Sequence, residues 1–231
     1  MEPPPGWLDR VAKFIEVFPS RLQEYEDLLT QNKIWKARLI GVGPLSAKDA
    51  IAMGVSGPSL RGSGVAYDVR KAFPYSRYEE FDFKLCTEQA GDCYARYLVR
   101  VAEMRESVKI IQQAMKKVPA SGAIRTEAPG IVPPERERMK TEMEALIYHF
   151  KIVTEGYTVP AGEAYACVES PRGEIGYYAV SDGTSKPYRL HMRTPSFGNL
   201  QALATMIEGK LIADTIASMG SMDFVLGDVD R

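Results

Sequence analysis

Apolar residues recur at helical spacing over most of the chain. From Trp7, the residues Leu8, Val11, Ile15 and Phe18 fall every three or four positions. Pro19 predicts the end of that helix, because proline has no N–H and its ring clashes with the preceding turn. Ser20 then predicts the cap of a second helix carrying Leu22, Tyr25, Leu28 and Leu29. Ile34 to Ile40 is a short apolar-rich segment closed by Gly41 and Gly43. Ser46 with Asp49 marks a short capped helix reaching Met53. The longest pattern runs from Asp92 to Lys117. Cys93, Tyr97, Val101, Met104, Val108, Ile111 and Met115 recur there in steps of four and three, over about 39 Å of helix. A second long helix begins at Pro134, where a missing N–H does no harm. Met139, Met143, Leu146, Phe150 and Val153 form its inner stripe, and Gly156 ends it. The two long helices are expected to pack antiparallel as a bundle core. Leu200, Leu203, Met206 and Ile207 define a further helix. After Gly209, Leu211, Ile212, Thr215, Ile216 and Met219 define another.

The period shortens near residues 160–193. Pro171 fixes φ and Gly173 relaxes it, so Arg172 sits on a bend. Ile175 to Val180 is rich in β-branched and aromatic residues and reads as a strand. Asp182-Gly183 is a hairpin turn, and Tyr188 to Met192 returns as the partner strand. By itself this is a surface hairpin with a charged elbow. Val65 to Glu88 carries Tyr67, Phe73, Tyr75, Tyr78, Phe81 and Phe83 without a period, and reads as an ordered loop that offers a packing surface. Gly54, Gly57, Gly62 and Gly64 surround Arg61 and Ser63, a density of glycine that predicts tight turns. The fold class is α+β, mainly helical, with a small antiparallel hairpin or sheet. The expectation is a single domain over residues 1–231, with a core helix pair (89–156), a β appendage (160–193) and a C-terminal segment (196–231).

The chain has 231 residues, with 29 Lys and Arg against 30 Asp and Glu. That length permits one substantial core. Near-neutral charge without a basic block gives no footprint for nucleic acid. The three cysteines, Cys86, Cys93 and Cys167, are unpaired by spacing and fit a reducing compartment. There is no signal peptide and no apolar run long enough to cross a bilayer, so the chain is expected to be soluble or peripheral. The charges Arg96, Arg100, Glu103, Arg105, Glu106 and Lys109 on the long helix read as a solvated face. His149 and His191 stand alone, which fits structural roles better than metal ligation. Rossmann glycines are absent, so the chain is not expected to hold NADH.

Several motifs, in order, carry a resemblance. They are Leu60-Arg61-Gly62-Ser63-Gly64-Val65, Gly91-Asp92-Cys93-Tyr94-Ala95-Arg96-Tyr97, His149-Phe150-Lys151, Glu169-Ser170-Pro171-Arg172-Gly173-Glu174 through Arg189, Pro195-Ser196-Phe197, and Ile207 to Arg231. They resemble the D subunit of NADH-quinone oxidoreductase, the hydrogenase-like quinone-module subunit of respiratory complex I. The Pro-Arg-Gly elbow is similar to one in the large subunit of nickel–iron hydrogenases. The resemblance covers nearly the whole chain, but only the later part of the family's length. An earlier segment, whose His and Tyr approach the quinone headgroup, is not in this sequence. Where the family has two adjacent histidines, Tyr148 precedes His149.

The resemblance implies a hydrogenase large-subunit-like helical bundle in the quinone-reducing module of a proton-translocating NADH:quinone oxidoreductase. A nickel–iron site needs four soft thiolates, and no cysteine follows Cys167, so neither that metal nor an iron–sulfur cluster is expected in this chain. No catalytic residue is assigned. The resemblance places Asp223 and Val225 on the inner wall of the old metal pocket, now a quinone pocket, with Arg172 at the elbow beside it and Arg231 near the same interface. A buried Asp223 would need partners or a raised pKa; alone, it reads as a helix or turn cap. Quinone is the implied substrate, NAD binds elsewhere in the complex, and the terminal iron–sulfur cluster lies on a partner. The implied partners are that cluster-bearing small subunit, an outer wrapping subunit of the peripheral arm, and the membrane subunit that opens the quinone tunnel. A separate N-terminal half is a further candidate. The expected location is peripheral, on the cytoplasmic face of the bacterial plasma membrane or the matrix face of the mitochondrial inner membrane. Such a subunit would not act alone. The alternative is a non-catalytic assembly fragment of the same complex. A related membrane-bound hydrogenase component is a third reading, and it predicts bound nickel.

Overall fold

The structure, a computed structural model, describes residues 4–119, 122–123 and 125–230. In chain order it forms α1 (Trp7–Leu29), α2 (Lys33–Leu39), α3 (Ala47–Ala52), α4 (Gly57–Arg61), α5 (Val69–Ala72) and a 3-10 turn at Tyr78–Glu80. There follow α6 (Cys93–Lys117), α7 (Arg138–Thr141), α8 (Met143–Thr154), β1 (Gly162–Ser170), β2 (Gly173–Ser181) and β3 (Arg189–Arg193). The chain continues with α9 (Pro195–Ile207), α10 (Ile212–Met222) and α11 (Leu226–Val229). The strands form one sheet in the order β1-β2-β3. The architecture is therefore α+β and mainly helical.

Local chemistry explains the elements that were legible. Ser46 caps α3 by accepting from the Asp49 N–H, as the capping pattern predicts. Asp92 caps α6: one carboxylate oxygen accepts from Ala95 N at 2.8 Å and the other from Gly41 N at 2.8 Å. Lys116 and Lys117 close α6 where cations favour the helix dipole. Asn32, not singled out from the sequence, caps α2.

Other expectations fail. Pro19 does not end a helix; it lies inside α1. Continuity keeps Ile15 and Leu22, two turns apart, in one buried stripe, and α1 packs on α6. That burial outweighs one lost backbone bond. Ser20, expected as a cap, donates to the Val17 carbonyl instead. The second long helix is broken at Glu142, whose backbone is extended (φ −115°, ψ 119°). Just before it, the Thr141 hydroxyl turns back on the Glu137 and Arg138 carbonyls, competing with the helical ladder.

The chain divides into two compact units. The larger holds residues 4–118, 167–176 and 192–230 of the described chain; the smaller holds 119–166 and 177–191. The two long helices expected to pair fall in different units. In the larger unit the core forms around Leu45, Ala50, Val55, Leu60, Ala202, Met206 and Met222. In the smaller unit, Ala145 is the buried residue of α8, while Met143, Leu146, Phe150 and Val153, the expected inner stripe, are exposed.

Candidate functional site

The site is built in the larger unit from the elbow upward. Pro171 and Arg172 make the two-residue turn between β1 and β2. Backbone clasps this turn. A Cβ on Gly57 would lie 2.5 Å from the Arg172 carbonyl oxygen and from Gly173 Cα, and Gly57 has φ +69°. Only glycine lets the start of α4 approach so closely. The density of glycine around Arg61 thus serves, at Gly57, an approach within the chain. Ser56 Oγ accepts from Glu174 N (3.1 Å), and Ser56 N donates to Asn199 Oδ1 (3.1 Å). Asn199 Nδ2 donates to the Arg172 carbonyl at 3.2 Å. Arg172 is therefore aimed by its backbone. Its Nε donates to the Asp223 carbonyl at 2.7 Å, and its guanidinium lies 3.6 Å from the Asp223 carboxylate.

Next to the elbow lies an ionic network centred on Arg61, which is 1% exposed. Arg61 meets Glu103 at 2.5 Å, Glu169 at 2.8 Å and the Tyr67 carbonyl at 3.0 Å. Burial disfavours the Arg61 cation, but Glu103 and Glu169 outweigh it and hold its pKa above the ordinary value. Glu169 also accepts from Val69 N at 3.2 Å. Asp68 pairs with Arg70 at 2.6 Å. Burial alone would push the Asp68 carboxyl up; Arg70 and Arg61 together bring it below the usual range. Burial, and then the hydrogen bond to Glu174, push the Tyr67 phenol up.

The same helix that supplies Glu103 supplies two buried charges, Arg96 and Glu106, and the half-buried Arg100. Arg96 is fully buried and donates to Ser221 Oγ (2.9 Å), Gly91 O (2.8 Å) and Gly43 O (2.8 Å). The charges of α6 are thus not a solvated face throughout. Arg96 and Arg100 share one stripe with Cys93 and Tyr97, at i, i+3, i+4 and i+7, and that spacing was the available signal.

Two cavities meet at this place. The larger, about 750 Å³, is apolar for most of its wall, including Trp35, Leu39, Tyr97, Ile216 and Ala217. The smaller, about 380 Å³, is edged by Arg61, Glu103, Glu169 and Pro171. Arg100 and Asp223 border both. Asp223 follows α10 in the left-handed region (φ 54°, ψ 42°), so its reading as a helix terminus agrees with the backbone. Its side chain is 47% exposed, and the burial expected for it is absent. The structure brings Arg172 and Asp223 together. Val225 lies two residues further on, its N–H 3.4 Å from Ser196 Oγ, and lines neither cavity. Arg231 lies outside the described residues. Arg100 and Trp35 were missed by sequence reasoning. Among the described residues no group of three or more His, Cys, Asp or Glu side chains is placed to hold a metal ion.

Fold and site together define a mainly helical α+β protein with an apolar cavity edged by paired charges. The family model for the respiratory-chain NADH dehydrogenase 49 Kd subunit matches residues 1–231, and the chain belongs to that family. It is 62% identical over 231 residues to D subunit 1 of the NADH-quinone oxidoreductase of Solibacter usitatus (strain Ellin6076), covering 100% of this chain and 56% of that protein. It is 59% identical over 231 residues to D subunit 2 of the NADH-quinone oxidoreductase of Koribacter versatilis (strain Ellin345), covering 100% of this chain and 57% of that protein. The corresponding D subunit of Wolbachia sp. subsp. Brugia malayi (strain TRS) is 50% identical over 228 residues, covering 99% of this chain and 58% of that protein. The chain thus spans little more than half the length of these curated relatives. No helix among the described residues is long and apolar enough to cross a membrane.

Proposed function

We propose that the chain forms part of the quinone-reducing module of a proton-translocating NADH:quinone oxidoreductase. In this reading its larger unit is built like the helical bundle of a hydrogenase large subunit and supplies one wall of the quinone pocket. A partner subunit carries the terminal iron–sulfur cluster, NAD binds elsewhere, and this chain is not active by itself. The further partners are the wrapping peripheral-arm subunit and the quinone-tunnel membrane subunit. The location is peripheral, on the membrane face that carries the arm.

The observation that carries this reading is the pairing of Arg172 with Asp223 at the edge of the 750 Å³ apolar cavity. Apolar walls suit the ring and tail of a quinone, and a few placed polar groups suit its carbonyls. Reduction to the quinol takes two electrons and two protons. The electrons come from the partner's cluster. Asp223, 47% exposed and 3.6 Å from the Arg172 guanidinium, is the group proposed to pass protons between solvent and the pocket edge, a reading its exposure supports. Arg172 keeps that carboxylate in position through the Asp223 carbonyl. Val225 and Arg231 belong to the same segment and are proposed to complete this wall.

The test is Asp223→Asn in the assembled complex. Quinone reductase activity should fall on the order of 100-fold with assembly unchanged. Normal assembly with normal activity would remove Asp223 from the pocket. The second reading, a scaffold that only completes the assembly, is favoured by exposed apolar residues such as Met143 and Ile212. It predicts that surface substitutions there reduce the amount of complex while leaving turnover per complex intact.

A further inference from the structure

Arg96 and Arg100 on α6 and Arg61 packed against it differ in how fully they are used. Arg61 has carboxylate partners on two nitrogens and a carbonyl besides. Arg96 donates to two carbonyls, a hydroxyl and the Cys93 sulfur. Among the described residues Arg100 makes one hydrogen bond, from Nη1 to the Arg96 carbonyl at 3.2 Å. Its Nε is buried and has no acceptor among the described residues. It forms no ion pair within 4.0 Å among those residues. A guanidinium carries five N–H donors, and a buried one left short of acceptors is costly. Burial is the largest influence on it and lowers its pKa; Asp223 and Glu103 oppose this, while Arg96 and Arg172 repel it. Yet it borders both the apolar cavity and the smaller, charged one.

We propose that Arg100 is the cationic donor that binds the oxygen of a ligand whose apolar body fills the larger cavity. This deepens the quinone-pocket reading and rests on it: the oxygen is then a carbonyl of the quinone ring. Asp223 borders the same two cavities and is the opposing charge that acts most on Arg100, so the ring oxygen would meet both groups at that shared edge. Arg96 and Arg61, being committed elsewhere, hold the helix that carries Arg100 and do not compete for the ligand.

The test uses the assembled complex and a short-tailed, water-soluble quinone. Electron transfer to an artificial acceptor drawn off before the quinone serves as the measure of intact complex. Arg100→Met should raise KM for the quinone about 10–100-fold, the loss of one charge-assisted hydrogen bond. Arg100→Lys keeps the charge but not the forked geometry, and should recover part of that rise. Ala213→Trp narrows the cavity from an exposed position without touching Arg100, and should raise KM as well. An unchanged KM in Arg100→Met overturns the proposal. If that variant does not assemble, unchanged KM in both Arg100→Lys and Ala213→Trp overturns it. Asp223→Asn separates the two readings. Loss of activity there with a normal Arg100→Met leaves the pocket and removes Arg100 from it. Normal activity there with a raised KM in Arg100→Met keeps Arg100 and removes Asp223.

Discussion

Arg61 is the residue whose loss should be felt most. Itself buried, it neutralises the part-buried Glu103 and the buried Glu169. Arg61→Met would leave two carboxylates without a counter-charge, at a cost of about 3–5 kcal/mol. Urea unfolding, or the yield of assembled complex, measures it. Asp68 gives a pH-dependent counterpart. Its folded pKa lies below its unfolded value of about 3.9. Its contribution is therefore fully present above about pH 3.9 and is lost as pH falls through the lower folded value. Asp68→Asn should destabilise the chain at pH 7 and make progressively less difference below about pH 4, read as urea midpoints across that range. Neither role was legible in the sequence. Arg61 looked like a turn residue between glycines, and its partners lie 42 and 108 positions away. Glu103 looked solvated because helical spacing gives the face a residue occupies, not which face is buried.

Elements whose signals are local were read correctly. The cap of α3, the span of α6, the hairpin of β2 and β3, and the helices α9 and α10 all follow from caps, turns and periodicity. Elements whose outcome depends on distant packing were not. Pro19 stays helical because of what Ile15 and Leu22 bury, and the break at Glu142 has no glycine or proline to announce it. The clasp of α4 on the elbow allows a paired test. Gly57→Ala places a Cβ against the Arg172 backbone at φ +69°, and should cost about 1–3 kcal/mol while displacing the elbow. Gly220→Ala, inside α10 with nothing within 4 Å of the new Cβ, should be neutral or stabilising by up to about 1 kcal/mol. Thermal unfolding of the two variants should move in opposite directions. Equal destabilisation would show that the elbow is not gripped as described.

At the scale of the molecule, helical periodicity predicted a buried stripe on α8 that the structure leaves exposed, and apolar residues that define α10 are exposed as well. On α10 the buried residues are Asp214, Ser218 and Met222, while Ile212 is 88% and Ile216 72% exposed. A sequence cannot say whether an apolar stripe is covered by its own chain or by another. Surfaces of this kind bind hydrophobic dyes and promote self-association. The isolated chain should do both, and Ile212→Glu with Ile216→Glu should weaken both; dye fluorescence and light scattering are the measurements. Arg96 carries a consequence for biosynthesis. Its guanidinium fastens residues 43 and 91 to residue 221, which is 125 positions downstream of it. Long-range closure of this kind comes late in folding. A nascent polypeptide emerging at roughly 5–20 residues per second therefore holds that guanidinium only partly satisfied for many seconds. Chaperones have that interval in which to engage the half-made wall, and a stalled ribosome extends it.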